Sequence, residues 1–315
     1  APDPRAIRAV RAVAAARATA RSEDRHSRGH GRRVRSVHVD QLWIHPVKSM
    51  IGMPVESIDV TGTGVAGDRT WAVRDEVRGG IRGAKKIGGL MRLAARYRDG
   101  FDGPVDITLT DGTTVGTDDP EAAARVSADL DHEVTLWPLR PADDLDHYRR
   151  GAPDSDDLLE ELRSIFGRDE DEPLPDLSVF PPEILEFESP LGTYVDAFPV
   201  LVMTTSALRT LTEALPDQVI DVRRFRPNVI VDTGDEPGHP ELGWQGRRLR
   251  LGEAELELVT PCPRCVMVTR EVTPDIPADR GILRHVIREL DQNLGMYANV
   301  IRPGRVERGD PVELI

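Results

Sequence analysis

The chain has 315 residues, 39% hydrophobic and 30% charged, enough for one large or two ordinary domains with a real core. No apolar run approaches the roughly 20 residues that span a bilayer, so no membrane span is expected. Net charge is −13, from 41 basic and 54 acidic residues. Residues 1–36 hold ten Arg against three acids, a balance of +7 that leaves −20 on the rest. An acidic body lacks the basic face that nucleic-acid binding needs, and two cysteines make no disulfide framework, so no nucleic-acid partner and a reducing cytoplasm are expected.

Residues 1–36 are rich in Ala and Arg and read as a disordered basic extension. The spacing of Arg5, Arg8 and Arg11 would also suit an amphipathic transit peptide. Val37 to Ile44 reads as the first strand, its β-branched and aromatic residues stopping before Pro46. Strands are expected at 55–60 and 70–74, linked through the turn Thr61-Gly62-Thr63-Gly64. A strand at 105–109, a turn at Asp111-Gly112, a helix at 121–130 and a strand at 134–138 complete an N-terminal domain of residues 37–140.

Residues 141–176 break the composition, with thirteen acids against four Arg. Leu158, Leu159, Leu162, Ile165 and Phe166 suit one short amphipathic helix, and the rest reads as an acidic linker, an insertion or a docking surface. In the second domain, 177–315, strands are expected at 198–203, 228–232, 248–251, 253–260 and 266–272. Thr204 or Thr205 caps a helix to about Leu215, and a helix over 278–293 ends at Gly295 as its C′ residue. Late strands follow at 299–301 and 306–315. Many short strands with few helices favour a β-rich α+β fold of two barrel-like domains over a doubly wound sheet.

Cys262 and Cys265 stand in Thr260-Pro261-Cys262-Pro263-Arg264-Cys265. Such a pair can be half a zinc site, a redox disulfide, a metal-cofactor ligand or two inert thiols. Structural zinc needs four ligands, and no His pair follows at finger spacing. Thioredoxin-type pairs open a helix, whereas both flanks here read as strands. Cys262 reads as a buried thiol. Cys265 differs: Arg264 adjoins it and two prolines restrict the preceding backbone. A presented thiolate suits a soft metal, which makes Cys265 the candidate reactive centre.

Three further segments carry polar groups beside Gly or Pro. They are His45-Pro46-Val47-Lys48-Ser49, Gly67-Asp68-Arg69 and Phe225-Arg226-Pro227-Asn228. Lys48, Ser49, Arg69, Arg226 and Asn228 are the types that cradle phosphate. Thr204 and Thr205 lie at a strand-to-helix junction, where amides favour anions or the hydroxyls simply cap the helix. Together they describe a basic, anion-receiving pocket in an acidic chain.

In their order and number these motifs, with Asn293-Leu294-Gly295 and Gly309-Asp310-Pro311, resemble the MOSC (molybdenum cofactor sulfurase C-terminal) domain proteins that carry an N-terminal MOSC β-barrel domain. They are similar to the amidoxime-reducing component family. The resemblance implies a molybdenum cofactor (Mo-molybdopterin) held by Lys48, Ser49, Arg69, Thr204, Thr205, Arg226 and Asn228, with Cys265 as the protein ligand to the metal. It implies an oxidoreductase acting on small N-hydroxylated substrates. Some bacterial relatives add an iron–sulfur domain needing four cysteines, and this chain has two. A separate electron donor is therefore implied, a ferredoxin- or b-type-cytochrome-like reductase system. The alternative is a sulfur carrier or cofactor-binding protein with a persulfide on Cys265. Pyridoxal phosphate binding enters only through the cofactor sulfurases, whose pyridoxal-phosphate domain this chain is too short to contain.

Overall fold

The structure, a computed structural model, describes residues 37–180, 183 and 186–315; the basic extension 1–36 lies outside the described residues. The first part holds β1 (His38–Ile44), β2 (Met53–Val55), β3 (Ser57–Thr61), β4 (Gly64–Val65), β5 (Trp71–Asp75) and β6 (Ile81–Arg82). Then come β7 (Ala94–Tyr97), β8 (Val105–Thr108), β9 (Thr114–Gly116), α1 (Ala122–Leu130) and β10 (Val134–Pro138). The 141–176 segment holds α2 (Leu145–Tyr148) and α3 (Leu158–Phe166). After it run β11 (Val200–Thr204), α4 (Thr205–Ala214), β12 (Val229–Asp232), β13 (Arg248–Leu251) and β14 (Ala254–Pro263). The chain closes with α5 (Arg280–Glu289), β15 (Asn293–Arg302), β16 (Gly304–Glu307) and β17 (Val312–Leu314). The class is the β-rich α+β expected from many short strands. Among the described residues no helix is long and apolar enough to cross a membrane.

Eight strands form one sheet in the order β17-β13-β14-β15-β11-β12-β1-β2, and the rest form three sheets of three. Only β11 and β12 pair in parallel within the large sheet, Val202 facing Val229, because α4 carries the chain back between them. β1 pairs antiparallel with β12, which sets the His45–Ser49 segment beside the end of the Phe225–Asn228 segment. The core follows strand parity. In β14 the inward positions are Ala254, Leu256, Leu258, Thr260 and Cys262. Cys262 is buried because it continues that apolar face. A second cluster packs Met203, Ala207 and Leu211 against Ile282, Leu283, Val286 and Ile287 of α5.

Several expectations are corrected. The single strand over 55–60 is two, β2 and β3, which break at Glu56 and join different sheets. Strands β4, β6, β7 and β9 are too short or too polar to have been read. The β-branched run 266–272 is no strand: Val266–Thr269 is a 3₁₀ turn, held by Thr269 Oγ1 donating to Val266 O and by Arg224 donating to Val268 O and Arg270 O. Tertiary bonds override local propensity there. α5 stops at Glu289, and Asp291 and Gln292 turn the chain at φ 47° and 70°. Gly295 therefore lies inside β15. Its φ of 79° and a Cβ position 2.8 Å from Met203 Cγ explain the glycine.

Candidate functional site

The His45–Ser49 and Gly67–Arg69 segments are locked together by backbone. Arg69 N–H donates to His45 O at 2.7 Å, and Lys48 N–H to Trp71 O at 2.8 Å. Asp68, buried, accepts from His45 N–H at 2.7 Å and pairs with Arg69. Burial alone would raise the Asp68 carboxyl, but Arg69 and His45 hold it well below the usual carboxylate range. His45 is driven the other way. Burial and the nearby Arg226 lower it to about 3, so the imidazole is neutral at pH 7.

Lys48, Ser49, Arg69, Arg226, Asn228 and Cys265 line one cavity. The first five come from three separate chain segments, which the pairing of β1 with β12 brings together. Ser49, Arg69 and Arg226 all have positive φ, at 71°, 50° and 57°. Non-glycine residues hold that conformation only where surrounding structure enforces it, and here three face one cavity.

Each side chain has a definite state. Lys48 Nζ donates to Asp196 Oδ1 at 2.7 Å, Tyr194 O at 2.9 Å and Ser189 Oγ at 3.3 Å. Burial lowers its pKa by more than the facing Asp196 and Glu188 restore. Ser49 Oγ accepts from Ala84 N–H at 2.8 Å. Asn228 lends its carbonyl to Leu201 N–H at 3.2 Å and its amide to Trp43 O at 3.4 Å, stitching β11 and β1 to β12. Arg226 is different. Its Nη1 donates to Met50 O, but Nη2 is buried with no hydrogen-bond partner. It has no carboxylate within ion-pair distance among the described residues, and burial with Arg69 close by lowers its pKa to about 9. Such a cation costs several kcal/mol unless something answers it, roughly as for other unpaired buried charges.

Cys265 stands at the start of the 3₁₀ turn Val266–Thr269, half-buried, while Cys262 is buried and its thiol is raised by burial. Sequence reading placed strands on both sides; the turn instead lifts Cys265 off the sheet. Arg264, which the sequence motif marks only as a neighbour of Cys265, and Arg168, which no motif singles out, hold this loop. Arg264 donates to Leu294 O at 2.8 Å and Phe225 O at 2.9 Å and lies over the Phe225 ring. Arg168 donates from Nη2 to Arg264 O at 3.1 Å and to Gln292 Oε1 at 3.0 Å. Asp196, also missed, sits between Lys48 and Lys85, at 2.7 and 3.4 Å. Burial would raise this carboxyl, and the two lysines pull it well below the carboxylate range. Its signal was weak because an Asp two residues before a strand is common.

Thr204 and Thr205 are not brought to the cavity. Thr204 Oγ1 accepts from Ala207 N–H at 3.1 Å as the cap of α4 and donates to Glu241 Oε2 at 2.7 Å. Thr205 Oγ1 donates to Asp232 Oδ1 at 3.1 Å. Both hydroxyls are spent inside the fold.

Among the described residues no three of His, Cys, Asp and Glu converge to hold a metal ion. A metal at Cys265 would bring its remaining ligands with it. A thiol beside an unanswered buried guanidinium is chemistry that suits a soft metal and an anion together.

A family model described as the MOSC N-terminal beta barrel domain matches residues 36–140, and one described as the MOSC domain matches 192–313. The chain is 24% identical to mitochondrial amidoxime-reducing component 1 of Homo sapiens over 88% of this chain and 82% of that one. It is 25% identical to mitochondrial amidoxime reducing component 2 of Homo sapiens over 87% and 82%. The solved YUAD protein from Bacillus subtilis is 13% identical, at a TM-score of 0.40 over 89% of this chain and 95% of its own.

Proposed function

From the premise that this chain belongs to the MOSC domain proteins, with a MOSC N-terminal beta barrel domain ahead of the MOSC domain, we propose that it is a molybdenum cofactor-dependent reductase of small N-hydroxylated compounds. The observation that carries the reading is the buried Arg226 guanidinium, without a carboxylate partner, in the same cavity as Cys265. When bound, the molybdenum cofactor supplies the two-electron redox centre. Cys265 Sγ would be the protein ligand to its metal. Arg226 Nη2, with Arg69 beside it, would receive its phosphate, a dianion that would offset the burial of that cation. Ser49, Lys48 and Asn228 form the wall, and their own bonds keep it rigid. Residues 37–140 and 177–315 are the two domains of this reading, with 141–176 inserted between them.

The reaction is R–NHOH plus two electrons and two protons giving R–NH2 and water. The electrons come from a separate protein donor, a ferredoxin- or b-type-cytochrome-like reductase system, and the protons from solvent. Tyr297 keeps its hydroxyl proton, because burial and then Cys262 and Asp196 raise it well above the ordinary phenol value. The relatives named as amidoxime-reducing components support the substrate class. Two cysteines, both free, support a reducing compartment, and the cytoplasm is the proposed location.

The test is purification from a molybdenum-sufficient host. Stoichiometric molybdenum and pterin, with reduction of an N-hydroxylated compound by an artificial donor, are expected, and Cys265→Ala should abolish both metal retention and turnover. A metal-free protein whose Cys265 accepts sulfane sulfur would establish the persulfide alternative instead.

A further inference from the structure

Cys265, Asp196 and Tyr297 border a second cavity as well, of about 390 Å³. That is at the small end of sites for organic ligands, which run from roughly 300 to 1,000 Å³. Its walls differ from those of the first. Leu158, Leu162, Ile165 and Phe166 of α3 face it, at i, i+4, i+7 and i+8, with Phe180 opposite. α3 is a properly ended helix: Asp157 caps it, accepting from Leu159 and Glu160 N–H, and Gly167 closes it at φ 63°. Yet none of its residues is fully buried. Its apolar stripe is turned onto a cavity instead of a packed core.

The charges differ too. Each cation bordering this second cavity is matched by an acid. Lys85 meets Asp196 at 3.4 Å, Lys86 meets Glu161 at 2.5 Å and Asp154 at 2.9 Å, Arg82 meets Asp75 at 3.2 Å, and Arg150 meets Glu188 at 2.5 Å. Nothing there answers a charged ligand, whereas Arg226 in the first cavity answers an anion. Phe198 lines the first cavity, Phe180 the second and Tyr297 both, with Phe198 and Tyr297 ring centres 5.1 Å apart and Phe180 and Tyr297 6.5 Å apart. The two cavities therefore meet at Cys265 and Tyr297 with opposite chemistry.

We propose that the second cavity is the substrate chamber, and that α3 and Phe180 make it select neutral aromatic or aliphatic molecules whose one polar end reaches Cys265. This rests on the reading of Cys265 as the metal ligand of a reductase. It gives the 141–176 segment a role as the chamber wall. The apolar body of the substrate lies against Leu162 and Phe166, and burial of that body supplies affinity that a small hydrophilic substrate lacks.

The test compares phenylhydroxylamine with hydroxylamine on the molybdenum-loaded protein and on its Leu162→Glu and Leu162→Trp variants, with an artificial donor. Both variants should raise KM for phenylhydroxylamine tenfold or more relative to that for hydroxylamine, with molybdenum content within about twofold of the parent. Equal effects on both substrates, or loss of molybdenum, would overturn the chamber, the second because the cofactor itself would then occupy it. A measurement independent of turnover uses the cofactor-free chain. N-phenylmaleimide should alkylate Cys265 faster than N-methylmaleimide does, and Leu162→Glu should narrow that ratio at least fivefold. An unchanged ratio sinks the chamber even if the protein reduces N–O bonds. A chamber that passes while no N-hydroxylated compound is reduced sinks the reductase reading alone.

Discussion

Lys48 donates from Nζ to Asp196 Oδ1 at 2.7 Å across 148 residues of sequence, tying the segment after β1 to the segment before β11. The lysine is buried and the aspartate is 37% exposed at its side chain, so solvent screens one end of the pair only. Asp196→Asn should cost about 1–3 kcal/mol in urea unfolding, below the roughly 3–5 of a fully buried pair. Because the Asp196 carboxyl is held below its ordinary value, the stability it gives is present above pH 3.8 and is lost as pH falls through its lower folded pKa. A variant as stable as the parent at pH 7 would show that the pair adds nothing.

Arg226→Met separates cofactor binding from folding. The substitution removes a buried charge without a carboxylate partner, so the cofactor-free protein should melt at the same temperature or higher. Retention of molybdenum and pterin should fall tenfold or more. A large drop in melting temperature would assign Arg226 to the fold.

Two buried groups oppose each other in the pH dependence of stability. His45 titrates near 6.5 when unfolded and at about 3 in the fold, so the unfolded chain holds the extra proton between them and stability falls as pH drops through that window. Glu241, raised by burial from 4.5 to about 7, keeps its proton in the fold, so its contribution is full below pH 4.5 and lost as pH rises to 7. Each slope approaches about 1.4 kcal/mol per pH unit. They oppose across pH 4.5–6.5. His45→Asn should leave a curve falling from pH 4.5 to 7, and Glu241→Gln one rising from about 3 to 6.5. Superimposable curves for the three proteins would refute both assignments.

Thr204→Val tests whether that hydroxyl serves the fold or the cavity. It removes the α4 cap and the bond to Glu241, and should cost about 1–2 kcal/mol with cofactor content unchanged. Loss of cofactor at undiminished stability would restore Thr204 to the binding site.

The members of the cavity were legible where residue type alone restricts chemistry. Cys265, Lys48, Ser49, Arg69, Arg226 and Asn228 sit in short motifs with Gly or Pro, and all six meet. Asp196 and Arg168 were missed because their roles are contacts with distant backbone or charge, and such contacts leave no local pattern. Thr204 and Thr205 went the other way. A strand-to-helix junction is equally a cap and an anion site, and in the structure Glu241 and Asp232 take the two hydroxyls. The 266–272 run failed for a related reason: its β-branched side chains favour a strand, but Arg224 holds its carbonyls in a turn.

What the amino-acid order determined by itself was the β-rich class, the strand parity that buries Cys262 and the short motifs that mark Cys265 and its cations. Each is a property of neighbours along the chain, where periodicity and backbone restriction act. What only the tertiary structure decided was which of three such cations has no carboxylate partner among the described residues. Lys48, Arg69 and Arg226 look alike as sequence, yet Lys48 meets Asp196, Arg69 meets Asp68, and Arg226 keeps a buried guanidinium nitrogen without a bond. Charge compensation depends on distance in space, so the residue that best marks the site became distinguishable only once the chain had closed around it.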